Sequence, residues 1–368
     1  MALFQAEITR SQEVNLEGQV IGWTGARYDE GWAMQVGGRY FPEINFKTAP
    51  GKRLLLEGEF SADIFGSWTT PDEGDKFYGS IKPYRAWLKT GNDQFEIRAG
   101  LQKINFGSAS MLRSLMWFDR IDPRDPLQLT EGVYGLLGRY YFLNNTNIWL
   151  WGLYGNKGTK GWEYLESNWH RPEFGGRVQF PVPRTEMAFT YHNREVKDTL
   201  SQLSGSDDPF SFTEQKFAFD AKADLVIGLW FEGSLKYSNT DLIPSYEKMI
   251  TLGADYTFGI GNGLHLLVEY FGMSTSEKFS AETTSSLEFV GFSASYPLSM
   301  VIGLSAIVYY NPENNDLYRF ANISLTYDSF SFFLMGFWNP SSYQLFNMET
   351  ESTLYSGAGI NVMAVFNY

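Results

Sequence analysis

The chain has no cysteine among its 368 residues, which excludes disulfides and thiolate metal sites and suits export into an oxidising compartment. It also lacks any stretch near the roughly 20 consecutive apolar residues that a membrane helix needs. Its longest apolar runs, such as residues 147–154, are short and broken by glycine. If the protein crosses a membrane it must do so as a closed barrel, because only helices and barrels satisfy their backbone groups in lipid. Charged residues are 19% of the chain, below the roughly 25% usual for a soluble domain. A net charge of −13 argues against nucleic acid, which needs a basic face. Only three histidines occur, His170, His192 and His265, and no spacing around them reads as a transition-metal site. The opening residues Met1 to Ala6 lack a basic, then apolar, secretory leader, and are read as the terminus of a processed chain.

What the chain does have is aromatics, 30 Phe, 22 Tyr and 11 Trp, together with 36 Gly and a mean hydropathy of −0.25. That combination suggests apolar groups facing outward and polar groups held inside. Period-two alternation runs from about residue 13 to the end. Leu54, Leu56, Gly58, Phe60, Ala62 and Ile64 share one face, with Glu57, Glu59, Ser61 and Asp63 on the other. Phe95, Ile97, Ala99 and Leu101 oppose Glu96, Arg98 and Gln102; Phe217, Phe219 and Ala221 oppose Asp220, Lys222 and Asp224; Leu229, Phe231 and Leu235 oppose Glu232 and Lys236. Successive side chains point to opposite faces of a strand, so each segment has an apolar wall and a charged wall. A soluble sandwich also alternates. Segments of about 10 to 14 residues, and links alternating short and long, favour a transmembrane barrel. The short links fall at 90–93, 143–146, 182–184, 259–263, 297–299 and 327–329; the long ones at 67–76, 108–131, 157–170, 198–212, 275–285 and 340–353.

Counting the segments predicts an all-β, antiparallel up-and-down transmembrane barrel of about 18 strands, with 16 the nearest alternative. Short turns would face the periplasm and long loops the exterior. Residues 1–12 are expected to form an N-terminal periplasmic segment, and 13–368 a single barrel domain. Pro83 breaks parity in the fourth segment and predicts a bulge or an edge distortion. The last strand places Ala358, Ile360, Val362, Ala364, Phe366 and Tyr368 on one face. Ending on an aromatic with apolar residues two and four places earlier, it resembles the C-terminal signal of bacterial outer-membrane proteins. Outer-membrane lipid is then the first partner.

The longest link, 108–131, is too apolar for an exposed loop, since Leu112, Leu115, Met116, Trp117 and Phe118 would gain by covering a surface. Folded into the lumen, it would place Arg113, Asp119, Arg120, Asp122, Arg124 and Asp125 at a constriction, stiffened by Pro123 and Pro126. The preceding residues Arg98 to Gly107 read Gly100-Leu101-Gln102-Lys103-Ile104-Asn105-Phe106-Gly107 at their end. This resembles Gram-negative porins, in which a Gly-x-Gln-x-x-x-aromatic-Gly strand enters a long loop; some of those families carry Pro where this chain has Asn105. The resemblance covers about a tenth of the chain and implies that the loop after the fifth strand forms the constriction.

The expected lumen is mixed in sign. Its basic candidates are Arg85, Arg98, Arg139, Arg177, Arg194, Lys222 and Lys236, and its acidic ones Glu57, Glu59, Asp63, Glu96, Asp220, Asp224 and Glu232, with Glu17 and Glu186 beside them. These charges either pair and fill the interior or orient solutes, with a lean toward mild cation preference. Small residues such as Gly303, Ser305, Asn322 and Ser324 relieve crowding near the C-terminus or leave open cross-section. His192 reads as a wall residue rather than a catalytic base, because no nucleophile motif accompanies it. Asp207 with Asp208, or Glu313 with Asp316, offer oxygen ligands for Ca²⁺ but read better as solvated loop carboxylates. Trp149, Trp151, Tyr154, Trp162, Tyr164 and Trp169 suggest an interfacial aromatic girdle, with a sugar-stacking platform as the sharper alternative. The sequence thus predicts a passive diffusion channel for small hydrophilic solutes or ions, with no cofactor, no metal and no enzymatic activity. A non-conducting scaffold barrel in a larger outer-membrane transport or secretion complex is the alternative, and a homo-oligomer or an accessory protein remains open as a further partner.

Overall fold

The computed structural model describes residues 12–49, 54–70, 76–197, 211–280, 282–341 and 355–368. Residues 1–11, most of the expected 198–212 and 340–353 loops, and the Asp207–Asp208 pair lie outside them. The alternating segments become β1 (Gln12–Asp29), β2 (Gly31–Thr48), β3 (Leu55–Thr70), β4 (Lys76–Gly91), β5 (Phe95–Gln102) and β6 (Val133–Tyr141). Next come β7 (Asn147–Leu153), β8 (Glu173–Val182), β9 (Thr185–Lys197), β10 (Ser211–Asp224), β11 (Gly228–Ser238) and β12 (Tyr246–Phe258). The chain finishes with β13 (Leu264–Ser276), β14 (Ser285–Pro297), β15 (Ile302–Asn311), β16 (Asp316–Tyr327), β17 (Phe330–Trp338) and β18 (Ala358–Asn367).

Every strand pairs antiparallel with its neighbours in sequence, and β1 pairs with both β2 and β18, so the 18-stranded sheet closes on itself. Closure leaves no edge whose backbone groups would be unpaired in lipid. The last residue completes the seam: Gly18 and Tyr368 exchange both backbone hydrogen bonds at 3.1 Å, and the Tyr368 hydroxyl lies 2.6 Å from that of Tyr40. Gly18 leaves room for that ring, since a Cβ there would lie 2.5 Å from the Tyr368 hydroxyl oxygen and the ring would have to shift.

The longest described links share one rim. Links such as 183–184, 225–227 and 328–329 turn tightly on one rim, while 103–132 and 154–172 are long on the other. The loop rim also carries two short connections, the β1–β2 link made by Glu30 alone at φ +59° and the four-residue β15–β16 link at 312–315. At Pro83 the register with β3 shifts, leaving Tyr84 as the extra residue of a bulge. Tyr84 uses that freedom to pack inward against Phe41, 4.6 Å between ring centroids.

The outward face is apolar. Phe60, Ile97 and Phe217 are exposed on it, and Phe189, Phe219 and Phe231 form an aromatic row across β9, β10 and β11 with centroids 5.0 and 5.9 Å apart. Outward aromatics crowd both rims: Tyr140, Phe142, Tyr256, Phe258, Phe330 and Phe366 by the turns, and Tyr28, Trp32, Trp68, Phe77 and Trp338 by the loops. These are the girdles expected where hydrocarbon meets headgroups. The girdle expected of Trp149, Trp151 and Trp162 is corrected. Strand parity turns Trp149 and Trp151 inward while Leu150 faces out, and Trp162 stacks on Phe271 inside the barrel at 5.4 Å.

Candidate functional site: the lumen and its inserted loops

The barrel interior is built from the alternate residues of every strand and from two loops that lean on them. Residues 103–132 leave β5 through the glycine-bounded segment noted in the sequence. Gln102 is fully buried and donates to the carbonyls of Arg98 (3.2 Å) and Gly135 (3.0 Å), which ties the strand end to β6. Gly107 has φ +102°, and a Cβ there would lie 2.3 Å from the Glu232 Oε1. The glycine lets the loop backbone reach a carboxylate on a distant wall.

Glu232 of β11 accepts the backbone N–H groups of Ser108 (2.6 Å), Ala109 (2.8 Å) and Leu115 (3.2 Å). Glu269 of β13 accepts those of Ser110 (2.7 Å), Met111 (2.9 Å) and Leu112 (2.6 Å), and the Trp230 indole N–H at 2.9 Å. Thr251 of β12, between them, donates to the Leu112 carbonyl at 2.6 Å and meets the Ser114 hydroxyl at 2.7 Å. The apolar residues between these bonds bury themselves in two clusters. Ala109, Met111 and Leu112 pack on Trp230, Met249, Leu267, Phe271, Phe289, Tyr309 and Tyr318 of the inner wall. Ile104, Phe106, Leu115, Trp117 and Phe118 pack on Val133, Leu137, Trp151, Leu153 and Ala218. At about 25 cal/mol per Å² of apolar surface, such a patch strongly prefers a wall to water.

A second loop, 154–172, enters the lumen beside the first. The Trp162 backbone donates to the Met116 carbonyl at 3.2 Å, and the Trp162 indole to the Arg113 carbonyl at 2.7 Å. The loop is anchored by charge. Glu163 lies 3.0 Å from Arg194, 3.1 Å from Lys216 and 3.3 Å from Lys160. Lys160 also meets Glu173 at 2.9 Å, and Arg194 is bidentate to Glu214 at 2.7 and 3.0 Å. Three cations thus face three carboxylates, all buried, which is the only inexpensive way to hold six charges out of water. Burial by itself would raise the Glu163 carboxyl, but Arg194, Lys160 and Lys216 outweigh it and hold the group below the ordinary 4.5. His192 belongs to the same cluster. Its Nδ1 accepts the Trp151 indole N–H at 3.2 Å, which leaves Nε2–H to donate to Glu173 at 3.1 Å.

The loop charges expected at a constriction are engaged, most within the loop and the rest with its neighbours. Arg113 and Asp119 pair at 2.6 Å, both buried, and Arg113 donates to the Phe106 carbonyl at 3.0 Å. Arg120 bonds Gly161 (3.2 Å) and Thr159 of the second loop. Arg124 clasps Asp122 at 2.7 and 2.5 Å and lies over the Tyr355 ring. Asp125 accepts the N–H groups of Leu127 and Leu129 at 2.9 Å each; burial nonetheless raises its carboxyl above the ordinary value. The physical reason is the loop's insertion: a charge carried into a packed interior must bring its partner.

The wall residues divide into two groups. Arg177 is bidentate to Asp220 at 2.6 and 2.8 Å, Lys236 meets Glu247 at 2.7 Å, and these join Arg194 and Glu232 under the inserted loops. On β2 to β6 the pairs are looser and part-exposed. Glu57 bridges Lys47 (3.2 Å) and Lys89, while Glu96 is shared by Arg98 and Arg139 at 3.4 Å each. Arg98 and Arg139 lie over the Trp87 and Trp149 rings at 4.5 and 3.9 Å. Glu59 accepts the Trp87 indole N–H at 3.0 Å, Asp63 lies 3.2 Å from Arg39, and Arg85 donates to the Thr130 carbonyl at 2.9 Å. Lys222 and Asp224 are exposed at the turn-rim end of β10, on the face of Asp220.

Sequence reasoning missed Glu269, Lys160, Glu163, Glu173, Glu214 and Lys216. A usable signal existed for Glu269, which stands alone among inward Leu267, Phe271 and Met273. A single carboxylate in an apolar inner stripe must have a partner brought to it.

No family model matches this sequence, and no curated relative does. Solved structures do. Pseudomonas aeruginosa OccK7 (OpdD) is similar with a TM-score of 0.59 at 8% identity, over 97% of this chain and 98% of that one. Salmonella typhi OmpF, in complex with daunomycin, is similar with a TM-score of 0.54 at 12% identity, over 96% and 97%. An anion-selective porin from Comamonas acidovorans is similar with a TM-score of 0.52 at 13% identity, over 97% and 100%. At such identities the likeness is one of fold: this chain has the fold of the outer-membrane porins, an integral outer-membrane β-barrel.

Proposed function

We propose that this protein is a passive outer-membrane channel for small hydrophilic solutes and ions, conducting past the charged inner face that β3 to β6 present toward the turn rim. The observation that carries this reading is the part-exposed charged wall there, with Glu57, Lys89, Glu96, Arg98 and Arg139 at the turn-rim ends of their strands, below the level at which Leu127 and Leu129 of the first loop pack against Phe41 and Tyr84. Alternating fixed charges along a wet wall compensate a polar solute for the hydration it sheds. In this reading the loop of residues 103–132 narrows the passage by its bulk, and the wall supplies the charge. A hydrolytic role for His192 finds no support, since both ring nitrogens are engaged and the ring is buried. Planar-bilayer recording of the purified protein tests the channel: discrete open steps support it. One insertion event that opens several equal steps marks a homo-oligomer.

A specific observation favours a second reading, a closed or accessory barrel. The two apolar clusters between loop and wall give the lumen of β6 to β16 the character of a protein core. A barrel that stays silent in bilayers and co-purifies with another outer-membrane protein supports that reading and sinks the channel.

A further inference from the structure

Glu232 and Glu269 are each fully buried, yet among the described residues neither makes an ion pair. Their charge is balanced by peptide dipoles. Between them they accept six backbone N–H groups of one loop, an anion nest whose anions come from the barrel wall. The two residues flank β12, Glu232 facing Thr251 and Glu269 facing Gly253, and the consecutive amides of Ala109 and Ser110 reach one and then the other. Trp230 lies over Gly253, where a Cβ would meet the indole at 2.1 Å, and its N–H fixes the Glu269 rotamer.

We propose that Glu232 and Glu269 are both the latch that holds residues 103–132 across the lumen and the charge that makes the unlatched channel cation-selective. The proposal rests on the channel reading above. With the loop in place, its amides cancel both charges and no permeating ion meets them. When the loop withdraws, two carboxylates lose their donors within an apolar wall of Trp230, Met249, Leu267 and Phe271. Ionised carboxylates are costly in such a wall without donors, so the loop's departure favours the entry of water, which keeps both groups ionised. Unlatching and wetting are thus coupled. The newly wet segment carries two negative charges against low-dielectric walls, where they act on ions with little screening.

Bilayer recording of four full-barrel proteins tests this: the parent, a deletion of residues 108–116, the same deletion with E232Q and E269Q, and the two substitutions in the intact chain. The deletion is expected to raise unitary conductance and favour cations, and adding both substitutions to lower its cation-to-anion permeability ratio about two- to fivefold. In the intact chain, each Gln presents an NH₂ where an acceptor was needed, so open events become more frequent. Heat-modifiable gel migration confirms folding. If the double variant does not fold, E232Q and E269Q singly in the deletion background carry the same comparison. A deletion channel whose permeability ratio ignores both substitutions overturns the proposal. If neither the parent nor the deletion conducts, the channel reading itself has failed and this inference falls with it.

Discussion

The walls of β2–β6 and β8–β10 are written in the same alternating code, yet they use their charges in opposite ways. On β2–β6, Glu57 with Lys47 and Lys89, and Glu96 with Arg98 and Arg139, are part-exposed pairs at up to 3.4 Å. On β8–β10, Arg177–Asp220 and Arg194–Glu214 are bidentate and sealed, with Glu163 brought in by a loop to meet three cations. The difference is water. A charge in a wet lumen is screened and free to act on a solute, whereas a charge under a loop must be cancelled in place. In the proposed channel the first wall borders the path, and the second anchors the second loop.

The largest break in that contrast is expected from E163A, which leaves Lys160, Arg194 and Lys216 short of a carboxylate in the packed region. Removing one partner of a buried ionic cluster costs about 3–5 kcal/mol. The urea midpoint of the folded, heat-modifiable band should fall accordingly; an unchanged midpoint would mean that apolar packing alone seats the second loop.

Next in size is G107A, whose new methyl would lie against the Glu232 carboxylate at a φ that side chains rarely adopt. A cost of about 1–3 kcal/mol is expected. It should appear as faster proteolysis within residues 103–132 while the barrel stays folded, and resistance equal to the parent's would separate the glycine from the latch.

Acid gives a smaller, graded test. Because the folded-state Glu163 carboxyl is held below its ordinary 4.5, it stabilises the loop fully above that value and loses the contribution as pH falls below it. Protection factors in residues 154–172, with exchange rates corrected for their intrinsic pH dependence, should therefore fall below about pH 4.5 in the parent. In E163Q this part of the pH dependence should be missing; a slope identical to the parent's would assign it to other groups.

The least effect on stability belongs to the wet wall. R98Q with R139Q should shift the midpoint by no more than about 1 kcal/mol. The same pair should move the reversal potential toward cations, by removing two positive charges beside the path. A stability loss as large as that of E163A would erase the distinction between the walls.

Much of this protein was decided by its sequence alone. Alternation of period two, with the longest links falling among every second connection, is local information, and it pointed to a closed antiparallel barrel near 18 strands with Phe60, Ile97 and Phe219 outward. The bulge at Pro83 was legible because a residue without an N–H cannot sit in a regular ladder. The apolar patch of residues 115–118 announced that its loop needed a wall. Which wall was a tertiary matter: Glu232 and Glu269 lie more than 100 residues further on, and nothing near either one marks it as the acceptor of loop amides. Likewise Arg113 and Asp119 read as pore charges until the fold buried them against each other. Strand parity fixes which face a side chain takes, but whether that face is wet depends on what the loops cover, and only the assembled interior decides it.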